Sequence, residues 1–83
     1  MLTGLQIRMA RSALRWSGQE LARRADMALK TIQRLEAVDG IPPSHSATLT
    51  ELRSIFEAAG IEFIGTPDDG PGIRIHAQPN HDA

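Results

Sequence analysis

The sequence predicts a mainly α-helical domain of four helices, followed by a β-strand or a β-hairpin. Apolar residues recur at helical spacing over most of the first 60 residues, and helix-capping residues precede several of these stretches: Thr3, Ser17 and Thr48. Residues 61–76 instead carry β-branched, alternating segments around a run rich in glycine, proline and aspartate. We therefore divide the chain into residues 1–60, a hairpin extension at 61–76, and a tail at 77–83 that we expect to be disordered.

The composition restricts the chain to one small domain and excludes several function classes. It has 83 residues and no cysteine, so disulfides and thiolate metal sites are ruled out. No apolar run approaches the roughly 20 residues of a membrane span, and no secretory apolar region follows Met1, so we expect a soluble, cytoplasmic protein without a membrane partner. The histidines have no ligand spacing, so we expect no metal: His45, His76 and His81. We find no cofactor motif and no nucleophile–base pair, and expect a non-enzyme.

The net charge of −1 argues against a nucleic-acid binder, but the charges are unevenly distributed. Residues 1–36 hold seven basic and three acidic side chains, a net charge of +4. Residues 37–83 hold two basic and seven acidic side chains, a net charge of −5. A basic half is typical of a nucleic-acid-binding surface, although arginines that only solvate helices would give the same count.

The first helix is predicted from about Gly4 to Arg15. Thr3 and Gln6 have the spacing of a capping box, in which each side chain binds the backbone N–H of the other. One face is apolar: Ile7, Ala10 and Leu14. A second face carries arginines at i, i+3 and i+7: Arg8, Arg11 and Arg15.

The stretch from Ser17 to Glu36 is typical of two short helices joined by a tight turn. Ser17 and Glu20 form a second predicted capping box. Asp26 lies in the turn, where a left-handed backbone is expected and aspartate tolerates it better than most residues. The second helix of this pair, which is the third helix of the chain, is predicted from about Ala28 to Ala37.

This stretch resembles the helix-turn-helix of the Cro/XRE, phage-repressor-like family of regulators. The residues that carry the resemblance are Leu21, Ala22, Ala25, Ile32, Leu35 and Glu36, within a likeness that extends from about Ile7 to Gly60. The resemblance implies a lambda-repressor-like fold and DNA binding. Three positions depart from the family pattern: Gly18, Asp26 and Ala28. The first departure loses a phosphate contact. The third loses the side-chain cap of the helix at 28–37, which corresponds to the family's recognition helix.

The resemblance also implies an ion pair between Arg11 and Glu36. A bidentate arginine–carboxylate pair would hold the first helix and the recognition helix in register. Without the pair, Arg11 would belong to a solvated row of arginines.

The outer side of the recognition helix supplies the candidate base contacts: Leu29, Lys30, Gln33 and Arg34. Gln33 suits adenine, and Lys30 suits guanine or a phosphate. Leu29 would meet a thymine methyl or else pack against the neighbouring helix. The candidate phosphate contacts lie around it: Gly18, Gln19, Arg23 and Thr31. Thr31 could instead satisfy the start of its helix.

The fourth helix is predicted to begin near Ser46 or Thr48. Thr48 and Glu51 have capping-box spacing, but Ser46 could instead cap the helix slightly earlier. The apolar stripe of this helix is predicted core: Leu49, Leu52, Ile55, Phe56 and Ala59. Gly60 should end the helix in a left-handed conformation.

The last segments, 61–64 and 72–76, predict a hairpin with a loose connecting loop. Glu62 and Arg74 are placed to pair across the strands. Such a hairpin would pack on the fourth helix or join a second copy in a shared sheet. We assign the dimerisation residues as Phe63, Ile73 and Ile75.

The sequence therefore predicts a homodimeric transcriptional regulator, most simply a repressor, whose partner is double-stranded DNA. A protein-binding adaptor of the same fold, resembling an antitoxin or an anti-activator, is the alternative. The acidic second half and the weakly basic loop after the recognition helix favour the adaptor.

Overall fold

The structure is a computed structural model that describes residues 2–76, so the predicted tail at 77–83 lies outside the described residues. About half of the chain is helical. Four helices are followed by a two-stranded antiparallel hairpin: α1 (Gly4–Ala13), α2 (Gly18–Ala25), α3 (Leu29–Glu36), α4 (Ser46–Ala58), β1 (Ile61–Thr66) and β2 (Asp69–Ile75). The order of helices and strands agrees with the prediction. No helix among the described residues is long and apolar enough to cross a membrane.

The N-termini of α1 and α2 are set by local hydrogen bonds. The Thr3–Gln6 capping box is confirmed, because the Gln6 N–H donates to Thr3 Oγ1 and the Thr3 N–H donates to Gln6 Oε1, each at 3.0 Å. Only half of the second box forms. Ser17 Oγ accepts from the Glu20 N–H at 3.0 Å, whereas the Glu20 carboxylate binds arginines instead.

Left-handed residues end α1 and α2. Asp26 has φ 54° and ψ 47°, which confirms the predicted conformation of the turn between α2 and α3. Arg15 has φ 58° and ends α1 about two residues earlier than predicted. The Arg15 N–H donates to Ser12 O and the Trp16 N–H donates to Arg11 O, each at 3.0 Å. These bonds are the Schellman arrangement, in which glycine is the usual left-handed residue.

The predicted Thr48–Glu51 capping box of α4 is wrong. The helix begins at Ser46, so Thr48 already lies inside it, and His45 is an N-cap without a side-chain hydrogen bond. Helical φ and ψ angles at Ser46 and Ala47 let the Thr48 N–H bond to His45 O at 3.1 Å. Gly60, with φ 100°, follows α4 in the predicted left-handed conformation.

The hairpin is confirmed, but its connection is tighter than predicted. The strands extend to Thr66 and Asp69, so only Pro67 and Asp68 lie between them. Gly65 has φ 75° at an irregularity in the ladder, where an added Cβ would lie 2.1 Å from Gly70 O. A glycine at this position therefore allows the strands to approach closely before the turn.

One core joins the helices to the hairpin. Phe56 of α4 is fully buried at its centre. Its ring stacks on Trp16 at 5.7 Å and meets Phe63 of β1 edge-on at 5.9 Å. Phe63 is only 8% exposed, so the structure corrects its assignment to a dimer interface. Of the three assigned residues, Ile73 is half-buried against this core and Ile75 is 65% exposed.

Gln6 connects the start of α1 to the hairpin. Its side chain is buried, and Nε2 donates to Ile64 O at 3.2 Å and to Gly72 O at 3.0 Å. Because the same side chain caps α1, all of its polar atoms are satisfied away from water. The hairpin therefore packs on the helices of its own chain.

Candidate nucleic-acid interface

The predicted recognition helix, α3, lies on the outside of the molecule. Ile32 and Leu35 are buried and attach it to the core, as predicted. Lys30, Gln33 and Arg34 are all exposed on its other side. An eight-residue helix with one buried stripe and one polar face is narrow enough to enter the major groove of B-form DNA.

Leu29 does not project freely from this helix as the thymine contact requires. It is half-buried and packs against the core, and an added Cβ on Gly18 would lie 3.1 Å from Leu29 Cδ1. The side chain therefore rests on the start of α2, which is the alternative that the sequence left open. Gly18 leaves this space for Leu29 because it has no side chain. Thr31 is half-buried as well.

Two arginines of α1 hold the C-terminal end of α3. Arg11 binds Glu36 through two bonds, Nε to Oε2 at 2.8 Å and Nη2 to Oε1 at 2.9 Å, which confirms the predicted ion pair. This hydrogen bonding to Glu36 raises the pKa of Arg11, although partial burial opposes the shift. Arg8 donates to the Glu36 carbonyl and pairs with Asp39. Cations at a helix C-terminus complement its dipole, so these contacts fix the position of α3.

Most basic side chains of the described chain are paired with carboxylates. Six of the nine lie within 4 Å of an acidic oxygen in residues 2–76. The three without such a partner in that range are Arg15, Lys30 and Arg34. Two of these three belong to α3. Within residues 2–76, the unneutralised positive charge is therefore concentrated on the exposed side of α3.

Glu20 neutralises the basic residues of α2. Its carboxylate accepts from Arg23 Nη2 at 2.6 Å and from Arg24 Nε at 2.7 Å. The hydrogen bond from Arg23, more than that from Arg24, lowers the pKa of Glu20. Arg24 also stacks over the Trp16 ring at 4.1 Å. Arg23 is exposed but already bound, so a phosphate would have to compete with Glu20 for it. Gln19 is exposed, and Gly18 is half-buried.

Arg15 is an exposed arginine that lies outside the candidate contacts predicted from the sequence. It occupies the junction between α1 and α2, one residue before Trp16, and has no carboxylate partner within residues 2–76. A signal was present in the sequence, since no acidic residue lies three or four positions from Arg15. Arg23, Arg24 and Arg53 each have a glutamate at that spacing and are paired.

The missing cap of α3 gives a stability prediction. Ala28 is the N-cap, with φ −70° and ψ 146°, and makes no side-chain hydrogen bond. We expect Ala28→Ser to raise the free energy of unfolding by about 0.5–2 kcal/mol, because the hydroxyl can accept from a free N–H of the first turn. Thermal unfolding measures this. Ala37→Ser, at the opposite end of α3, is the matched control and should give no gain; equal effects at both ends would contradict the assignment of the cap.

No family model, curated protein or solved structure matches the chain. Among the described residues, no three histidine, aspartate or glutamate side chains lie together as a metal site would require.

Proposed function

We propose that the chain is a sequence-specific DNA-binding transcriptional regulator of the Cro/XRE type that acts in the cytoplasm. As a homodimer it reads a short palindromic operator, with α3 in the major groove, and represses transcription by occupying that site. Two copies of such a motif present their recognition helices about 34–36 Å apart, which is one turn of B-form DNA.

The observation that supports this proposal most is the charge left on α3. Within residues 2–76, Lys30 and Arg34 have no carboxylate partner, while the arginines of the neighbouring helices are held by carboxylates. Gln33 lies between them in the sequence, and its amide can make a bidentate contact with adenine. Lys30 and Arg34 can bind guanine or phosphate. The helix is thus supplied with both base-reading and phosphate-binding groups.

We expect fewer phosphate contacts than the sequence suggested, which lowers the expected affinity. Arg23 is engaged by Glu20, and Asp26 places a negative charge in the turn before α3. We therefore expect one subunit to bind only at about the non-specific level, 10⁻⁴–10⁻⁶ M, so that tight binding needs two subunits on one operator.

The alternative function is a protein-binding adaptor that uses the same exposed surfaces. One observation favours it: the loop after α3 exposes the apolar side chains of Val38 and Ile41, at 38% and 46%. Apolar side chains on a loop add nothing to phosphate binding but can anchor a protein partner.

Measuring DNA binding at several salt concentrations tests the proposal. The probe is a set of labelled duplexes selected from random DNA by the purified protein. The logarithm of the binding constant should fall linearly with the logarithm of the salt concentration. The slope of that line should be about −0.9 for each neutralised phosphate. Gln33→Ala should lower discrimination at one base pair by about 1–3 kcal/mol, because the base edge loses a bidentate partner. Lys30→Gln should reduce the slope by about 0.9 if Lys30 binds phosphate.

Matched controls lie on α4, away from the recognition helix. Ser54→Ala truncates an exposed polar side chain and should leave base preference unchanged. Arg53→Gln removes one positive charge, which Glu57 already neutralises, and should leave the slope unchanged. Undetectable DNA binding at low salt, together with a stoichiometric protein partner, would establish the adaptor instead.

A further inference from the structure

Arg15 adopts a backbone conformation that disfavours an arginine. Its φ is 58°, in the left-handed region, and it closes the Schellman arrangement at the end of α1. Glycine fits that position without steric cost, whereas a residue with a Cβ stores strain there. Strained backbone is concentrated at functional sites, so an arginine at this position indicates a role for its side chain.

The Arg15 side chain has no ion pair within the described fold that would offset this strain. It is exposed, and no carboxylate of residues 2–76 lies within 4 Å of it. Arg11 and Arg24, which lie on either side of it in the sequence, are both held by glutamates. The guanidinium of Arg15 is therefore available to an anion from outside the chain.

The segment that carries Arg15 is held in place by contacts on both sides. The Trp16 N–H donates to Arg11 O at 3.0 Å, and Arg11 Nη1 donates to Trp16 O at 3.1 Å. The Trp16 ring stacks on Phe56 at 5.7 Å, and the Arg24 guanidinium lies over it at 4.1 Å. Because the backbone at Arg15 is already ordered, a ligand bound there has to immobilise only the side chain.

Arg15 also lies close to the start of α2 and, through it, to the start of α3. The N–H groups of Gly18 and Gln19 are among the first of α2 and have no acceptor within that helix. An added Cβ on Gly18 would lie 3.1 Å from Leu29 Cδ1, so the two helix starts are in contact. Three residues span at most about 11 Å, and Arg15 therefore lies within that distance of Gly18.

We propose that Arg15 binds a backbone phosphate of the DNA, on the groove edge beside the start of α3. This inference rests on the proposed function and deepens it, since it adds to each subunit a phosphate contact outside the predicted ones. The major groove is about 12 Å wide, so a helix inside it has phosphates close on both sides. Arginine suits such an oxyanion because its guanidinium donates two parallel hydrogen bonds, and the positive end of α2 adds to the attraction.

Titrations with duplexes selected from random DNA, at several salt concentrations, test the proposal. Arg15→Gln removes the charge and should raise the dissociation constant about 3–10-fold per subunit, the loss expected for one hydrogen-bonded contact. The salt slope should shrink by about 0.9 per subunit, while base preference stays the same, because phosphates carry no sequence information. Arg53→Gln removes a charge that Glu57 already neutralises and should change neither quantity.

Duplexes with single neutral phosphates identify the contact directly. Methylphosphonate replaces one phosphate at a time along each strand of the selected duplex. At one position in each half-site the replacement should weaken binding of the wild type but not of Arg15→Gln, because that variant has already lost the interaction. Equal sensitivity of the two proteins at every position would overturn the proposed contact.

Arg15→Gly separates the role of the side chain from that of the backbone. Relief of the left-handed strain should raise the melting temperature by about 2–8 °C, while DNA binding weakens as in Arg15→Gln. Circular dichroism measures the first effect and the salt titration the second. A melting temperature that does not rise, or a salt slope unchanged in both variants although the wild type binds DNA, would overturn the proposal and leave the proposed function intact. A wild type that binds no duplex at low salt would overturn both.

Discussion

Gly4→Ala is expected to destabilise the protein by about 3 kcal/mol or more, which lowers the melting temperature by about 10–25 °C. An added Cβ at Gly4 would lie 2.0 Å from Val38 O and 2.5 Å from Leu35 O. Both atoms belong to the backbone at the end of α3, so no side-chain rotation relieves the overlap. The Gly4 N–H also donates to Gly40 O at 2.8 Å, which holds the two segments at this distance.

Gly40→Ala is the matched control, because it makes the same chemical change on the other side of that hydrogen bond. No atom lies within 4 Å of a Cβ built at Gly40, and its φ is not in the left-handed region. The substitution should therefore change stability by less than about 1 kcal/mol, and restricting the unfolded chain can even stabilise the fold. Thermal unfolding of both variants decides the matter: similar melting temperatures would mean that α1 and α3 do not approach this closely.

Features set by local chemistry could be predicted from the sequence. The starts of α1 and α2, the left-handed Asp26 and the left-handed Gly60 each depend on residues within four positions of one another. The start of α4 was left open between Ser46 and Thr48, because Thr48 and Glu51 have capping-box spacing even though the helix has already begun at Ser46. A local motif does not reveal whether a helix has already begun before it.

Contacts between distant segments could not be predicted in the same way. The close approach of Gly4 to Val38 and the bonds from Gln6 to the hairpin join residues more than 30 positions apart. In the sequence, Gly4 is explained by the start of a helix and Gln6 by its capping box, so neither residue suggests a further contact. Their second roles arise from tertiary packing, which rules based on local spacing do not predict.

The candidate interface was predicted in part. The exposure of Lys30, Gln33 and Arg34 follows from helical periodicity, which also buries Ile32 and Leu35. Leu29 was harder to place, because its packing depends on the missing side chain of Gly18 on another helix. The ion pair of Arg23 with Glu20 could have been predicted from their spacing of three residues, since side chains at that spacing meet on one helix face. Counting net charge alone overlooks this pairing.

Glu36→Ala is expected to cost about 2–3 kcal/mol of stability and to loosen α3 from α1. The Glu36 side chain is 10% exposed and that of Arg11 is 24% exposed, so removal of the carboxylate leaves a poorly hydrated guanidinium. A fully buried pair would lose more, about 3–5 kcal/mol, but Arg11 can recover part of its hydration. Arg11→Ala should cost at least as much, because Arg11 also donates to Trp16 O at 3.1 Å.

A double-mutant cycle on Arg11 and Glu36 isolates the energy of the pair, and we expect a coupling of about 1–3 kcal/mol. Because the pKa of Arg11 is raised in the folded protein, its contribution is fully present below the pKa of unfolded arginine. It disappears only as the pH rises through the still higher folded pKa, so the coupling should be constant across neutral pH. The exposed Arg53–Glu57 pair on α4 is the control, with an expected coupling of about 0.3–0.5 kcal/mol. Equal coupling in the two cycles would mean that the Arg11–Glu36 pair holds α3 no more strongly than an exposed pair would, and that its buried residues, Ile32 and Leu35, suffice to position the helix.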